Sequence, residues 1–277
     1  MMLKVGELML ASEQLPGGKL HKHRISVALY CNASVTYKLD PWIIHNRQKP
    51  RCFGYKGIKI QTLPLEWRAN KKAWMTGKIF KDFLIHFHRE IGGRKAVLLV
   101  DGFGPHQTAI DLLEDEDIAL PNLKIRFLPA NATSLCQPLN QGIIRTWKAY
   151  YKQRWLKFAV QHYEKEEDPA KHLDILQALR WCLTAWAEVA PATIVNCWVQ
   201  SRVLAPKYGP QTKQEAEKDN LRKDIAQEQA RYDNTISQIT IAIQALAELG
   251  RIEGPMTVGS FLDPDAEQVD DTEEDLF

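Results

Sequence analysis

Asp101 and Asn140 are the residues whose type and placement point most directly to chemistry. Asp101 follows Ala96-Val97-Leu98-Leu99-Val100, an apolar run typical of a buried parallel strand. It precedes Gly102-Phe103-Gly104-Pro105, which forces a turn. A carboxylate so placed stands at the carboxyl end of a strand, where open α/β sheets carry their reactive groups. Asn140 lies in Gln137-Pro138-Leu139-Asn140-Gln141-Gly142, at the mouth of a helix expected to begin near Gly142. A strand end and a helix start converging in this way suit a divalent-metal site for phosphoryl transfer. Such a site needs at least two carboxylates from separate segments. Hard Mg²⁺ or Mn²⁺ prefers anionic oxygen, and two ions about 4 Å apart must have their repulsion neutralised. Asparagine at the second position is the departure. The plainer reading of Asp101 is a cap on the following turn.

The elements that must position these residues follow from periodicity. Residues 1–23 are poorly patterned, with a turn at Pro16-Gly17-Gly18. Ile25 to Cys31 alternates as a strand, and Tyr37 to Ile44 returns as its hairpin partner. Lys49 to Trp67, broken by Pro50, Gly54, Gly57 and Pro64, reads as loop with short strand pieces. Thr76 caps a helix whose stripe is Ile79, Phe80, Phe83, Leu84 and Phe87, stopped by Gly92-Gly93. After the Asp101 strand come a short acidic helix over 107–116, a strand over 123–128 and a long helix over 139–166. Trp-rich helices are expected at 175–189 and 193–201, and Pro206 to Pro210 is a linker. A last helix, 215–249, has the stripe Ile236, Ile239, Ile243, Leu246 and Leu249, which suits core, a dimer seam or a partner face. Asp263 to Phe277 is acidic and expected to be disordered. The alternation of strands and helices makes this an α/β protein.

Charge is unevenly placed. The net +2 over 277 residues conceals a segment from Gln211 onward with 6 Lys+Arg against 16 Asp+Glu, leaving 30 basic against 18 acidic residues in 1–210. A basic body of +12 with a tail of −10 suits a polyanion partner, with the tail as a competitor for the same surface. Five widely spaced cysteines without a CxxC pair argue against a disulfide framework and a zinc ribbon. No membrane association is expected, since no apolar run reaches transmembrane length.

Several blocks together resemble one family. They are Lys71-Lys-Ala-Trp-Met-Thr-Gly-Lys-Ile-Phe80, Leu98-Leu-Val-Asp-Gly-Phe-Gly-Pro-His106, Phe127 to Ile144 and Trp147-Lys-Ala-Tyr-Tyr151. In that order they are similar to the transposase domain of pogo/Tigger-type elements of the mariner superfamily, whose relatives include centromere protein B and the jerky-like proteins. The resemblance runs from about Leu10 to Ser201. It implies a ribonuclease H-like mixed sheet flanked by helices, here with a C-terminal helical extension, and a DDE-type Mg- or Mn-dependent endonuclease ancestry. The family's second acidic residue falls on Asp101 and its third on Asn140. The first belongs to a strand just upstream of the part resembling Leu10-Ala11, where no matching motif occurs, so that strand is expected to be missing or incomplete. The helix-turn-helix region of the family is not matched either. Glu7 is the best substitute for the first acid, ahead of Asp40, Asp111 and Glu114. In relatives a histidine follows the aspartate in the same turn, as His106 does here, and a structural turn role suits it best.

Each lost carboxylate removes a full charge from a partly desolvated site, and every ~1.4 kcal/mol is tenfold in rate or affinity. Metal binding is therefore expected to be weak or absent, and catalysis silent. DNA binding through phosphates is the function expected to survive. Arg145, Lys148 and Lys152 share one face of the long helix, with Arg68, Lys71 and Lys72 as a second basic cluster. The expected organisation is a transposase core over 1–168, its Trp-rich end over 169–205, a linker and helix over 206–250 and an acidic tail over 251–277. A nuclear location follows from DNA as partner. The alternatives are an active Mg/Mn-dependent endonuclease or transposase, and a protein-interaction module acting through the acidic C-terminal segment, with 236–249 as an oligomer or partner contact.

Overall fold

The computed structural model describes residues 2–9, 24–129, 136–204, 215–252 and 256–262. Six strands form one sheet: β1 (Met2–Met9), β2 (Arg24–Cys31), β3 (Trp42–His45), β4 (Glu66–Ala69), β5 (Ala96–Val100) and β6 (Leu123–Phe127), in the order β4-β3-β2-β1-β5-β6. Strand β2 runs antiparallel to both its neighbours, whereas β1, β5 and β6 are mutually parallel, as are β3 and β4. All strands except β2 therefore point the same way, and the segments after β4 and β5 leave from the same end of the sheet.

The stretch 1–23, read as poorly patterned, contains β1, which lies inside the sheet between β2 and β5. A strand is thus present at Met2–Met9, in the stretch where one was expected to be missing or incomplete. Alternation in Met2–Met9 is weak, but eight consecutive residue pairs with β2, Met2↔Cys31 through Met9↔Arg24, hold it in register. The expected hairpin is also shorter. Tyr37 to Pro41 contributes only an isolated bridge, Cys31↔Lys38, before β3 begins at Trp42.

Helices cover both faces of the sheet. On one side α2 (Gly77–Glu90) and α3 (Gly104–Asp115) bury Phe80, Phe83, Leu84 and Phe87 against Tyr30, Trp42, Leu98 and Val100. Thr76 caps α2 by accepting from the Ile79 N–H, as its sequence position predicts. On the other side α4 (Ile144–Tyr163), α6 (Ile175–Glu188) and α7 (Pro191–Ser201) bury Trp147, Tyr150, Tyr151 and Trp186 against Ile25, Val27, Leu29 and Ile43. Strand β2 serves both cores, Ile25, Val27 and Leu29 facing one and Ala28 and Tyr30 the other, as the two-residue strand period requires. Two short helices, α1 (Arg51–Tyr55) and α5 (Pro169–His172), fill connections.

A third cluster joins α4 to α8 (Glu215–Glu248) and α9 (Val258–Leu262): Ala149 and Leu156 pack against Ile239, Ile243, Leu246, Phe261 and Leu262. Ile239, Ile243 and Leu246 of the 236–249 stripe are thus internal core, the first of the readings the sequence allowed, whereas Leu249 is exposed. The linker at 206–210 and the acidic stretch 263–277 lie outside the described residues. Among the described residues no helix is long and apolar enough to cross a membrane.

Candidate functional site

Asp101 sits where the sequence puts it, directly after β5, and its side chain is 18% exposed. The ring of His106, in the first turn of α3, lies beneath it: Nδ1 is 3.2 Å from both the backbone oxygen and Oδ1 of Asp101. One N–H serves one acceptor well, and its direction favours the backbone oxygen, so Oδ1 is buried without a hydrogen bond. Nε2 of His106 is also without a partner, and the ring lies 4.3 Å from that of Phe80.

The second side of the site comes from the chain entering α4. The fully buried Gln137 donates from Nε2 to Asp101 Oδ2 at 3.3 Å, and Asn140 donates from Nδ2 to Gln137 Oε1 at 2.6 Å. Asn140 and Asp101 are thus linked by an amide relay, the strand end and helix start converging as their sequence contexts predict. Asn140 lies in a wide turn, Leu139–Ile143, whose Gly142 adopts φ +148°. A Cβ at Gly142 would sit 3.3 Å from Cys197 Sγ, so both backbone conformation and close approach to α7 call for glycine. Burial raises the Asp101 pKa, but the His106 ring, the Phe103 N–H and the Gln137 amide outweigh it, holding the carboxyl below its ordinary range.

Strand register shows what stands beside Asp101. Met2 of β1 pairs with Leu99 of β5, so Lys4 is the β1 position level with Asp101. Glu7, the sole acidic residue of β1, lies three positions further along, roughly 10 Å at about 3.3 Å per residue. Asp40, Asp111 and Glu114 are exposed. Among the described residues, no two further Asp, Glu, His or Cys donors gather with Asp101 closely enough to share an ion. The bare Oδ1 offers one ligand atom, but the amide relay, with no further carboxylate gathered beside it among the described residues, does not fit the two-ion Mg²⁺ or Mn²⁺ site that the family implies.

The expected basic surfaces fare differently. Lys148 and Lys152 are buried, not aligned along a solvent track, and Lys152 donates to the Phe261 carbonyl and lies 5.0 Å over that ring. Arg145 donates to Tyr232 Oη at 2.7 Å and stacks on its ring. Lys148 and Lys152 are therefore corrected as members of a phosphate-binding track, whereas Arg145, although held by Tyr232 of α8, is exposed. Arg68 lies 4.3 Å over the Trp42 ring and pairs with Glu66 and Asp82. Lys71 and Lys72 remain exposed, in the segment after β4 at the same end of the sheet as Asp101. Sequence reasoning missed Lys124 and Arg126 on the edge strand β6, both exposed. Their signal was the alternation in Leu123-Lys-Ile-Arg-Phe127. Arg126 is level with Leu99, two residues before Asp101.

A mixed α/β sheet carrying a carboxylate at the carboxyl end of an inner parallel strand is the architecture of a strand-end active site. The family described as DDE superfamily endonuclease matches residues 22–198, and the chain belongs to it, as a pogo/Tigger-type transposase-derived domain. Similar curated proteins include ARS-binding protein 1 of Schizosaccharomyces pombe, 28% identical over 266 residues, covering 96% of this chain and 47% of that protein. CENP-B homolog protein 2 of the same yeast is 31% identical over 204 residues, covering 72% of this chain and 40% of that protein. Tigger transposable element-derived protein 4 of Mus musculus is 30% identical over 209 residues, covering 74% and 38% respectively. The chain thus spans less than half the length of these relatives. No solved structure matches it.

Proposed function

We propose that this chain is a transposon-derived, ribonuclease H-like domain that binds DNA phosphates and is catalytically silent. The amide relay carries the reading of silence. Where a DDE site would place a third carboxylate, Asn140 donates a hydrogen bond instead, and the Gln137 it holds occupies Asp101 Oδ2. One carboxylate with amide neighbours lacks the negative charge that two hard cations require. The position of β1 between β2 and the Asp101 strand supports the ribonuclease H-like reading, in which the strand of the first acidic residue is central.

DNA as partner is supported by relatives named for ARS binding and for centromere protein B, by the +12 body, and by the exposed cations at the Asp101 end of the sheet. Lys71, Lys72 and Arg126 are the residues we assign to phosphate contact, with Lys124 further along β6. Phosphate contacts give affinity without sequence preference, and a nuclear location goes with such a partner.

Titration of duplex DNA at increasing salt tests the assignment. Each neutralised phosphate contributes a slope of about −0.9 in log K against log salt, so Lys71→Ala with Lys72→Ala lowers the slope magnitude by about 2. An affinity indifferent to salt would contradict the phosphate reading. Nicking of supercoiled plasmid in Mn²⁺, abolished by Asp101→Ala, would contradict the silence.

A further inference from the structure

We propose that His162, Glu167 and His172 form a binding site for a divalent transition-metal ion, with Zn²⁺ the natural occupant. His162 lies in the last turn of α4, His172 closes α5, and Glu167 lies in the turn between them. One donor atom from each comes within 4.8 Å of the other two, and among the described residues no other His, Cys, Asp or Glu group does this. Nδ1 of His162 is 2.6 Å from Glu167 Oε2, and Nε2 of His172 is 3.8 Å from the same oxygen. Ligand atoms on a tetrahedral zinc with bonds of about 2.1 Å sit roughly 3.4 Å apart, so the two spacings bracket what the ion requires.

The arrangement is built rather than accidental. The imidazoles stack with centroids 4.5 Å apart and planes 17° from parallel, and Phe158 packs on His162 at 4.3 Å. The turn is fixed from within: Lys165 and Glu167 N–H both donate to the His162 carbonyl, Glu166 takes φ +60°, and Asp168 caps α5 by accepting from Ala170 N–H. The ligands therefore need only a small closure, not the ordering of a loop. Two nitrogens and one carboxylate suit zinc and its transition-metal neighbours, and disfavour Mg²⁺, which demands oxygen. Three protein donors leave a fourth position for water, consistent with the part-exposure of Glu167 and His172 (41% and 45%). Along α4 the site is some 18 residues, or about 27 Å, from the end near Asn140, so it is separate from the Asp101 region. Bound there, the ion staples the corner through which α4 turns into α5.

Equilibrium dialysis of the full chain against Zn²⁺ decides the matter. The protein is first stripped with chelator, then held at pH 7.5 with reductant and millimolar Mg²⁺. The wild type is expected to take up one equivalent more than His172→Ala, or to bind it about 100-fold more tightly. Co²⁺ in place of Zn²⁺ should give visible d–d bands that the variant lacks. Circular dichroism checks the fold, and if His172→Ala does not fold, Glu167→Gln carries the same comparison. Identical uptake and identical Co²⁺ spectra in wild type and variant overturn the proposal.

Discussion

Replacing Asn140 by aspartate tests the relay most directly, because it restores the family's residue and removes the donor that closes the network. In the wild type Asn140 Nδ2 gives a hydrogen bond to Gln137 Oε1 at 2.6 Å, and Gln137 Nε2 gives one to Asp101 at 3.3 Å. Asn140→Asp sets an anionic acceptor against Gln137 Oε1. If Gln137 flips to donate to the new carboxylate, its oxygen then faces Asp101. Either way a fully buried amide meets one acceptor it cannot satisfy, at a cost of about 1–3 kcal/mol. At about 2–4 °C per kcal/mol for a domain of this size, the melting temperature in EDTA should fall by roughly 2–12 °C. A cation between the two carboxylates would relieve the repulsion. Mn²⁺ at about 100 times its Kd restores ~2.7 kcal/mol to the variant and leaves the wild type unmoved. Thermal unfolding of both proteins in EDTA and in Mn²⁺ reads all four values. The reasoning fails if the variant melts with the wild type in EDTA, or if Mn²⁺ stabilises the two equally.

Two further substitutions probe the site and the C-terminal helix. Asp101 is held below its ordinary pKa in the folded state, so its ionised form contributes stability present above the unfolded value near ~3.9 and lost as pH falls through the folded value. Asp101→Asn should therefore flatten the loss of stability below about pH 4 in acid unfolding, and an unchanged acid limb would contradict the network. Ile239→Ala, at a fully buried site between α8 and α4, should cost about 2–5 kcal/mol without changing the oligomeric state. A shift to a smaller species in gel filtration with no loss of stability would instead restore the stripe to an oligomer seam.

Local chemistry in the sequence was sufficient to place Asp101, because an apolar strand ending in Asp-Gly-Phe-Gly-Pro has few other conformations. The Thr76 cap, the α2 stripe and the convergence of Asn140 on Asp101 were legible for similar reasons: caps, periods and turns act over a few residues. Three features depended on contacts distant in the chain. Strand β1 has little alternation of its own and is held by pairing with β2 and β5. Lys148 and Lys152 look solvent-facing on a helical wheel, yet a lysine can bury its stem and satisfy its ammonium on a backbone carbonyl, as Lys152 does on Phe261. That acceptor lies 109 residues away, beyond the reach of any local pattern. The cations left at the Asp101 end of the sheet, Lys71, Lys72 and Arg126, come from segments that only the shared direction of β4, β5 and β6 brings to one end. Sequence determined which groups the site contains; the tertiary structure decided which charges face solvent, because burial is settled by whatever packs on top.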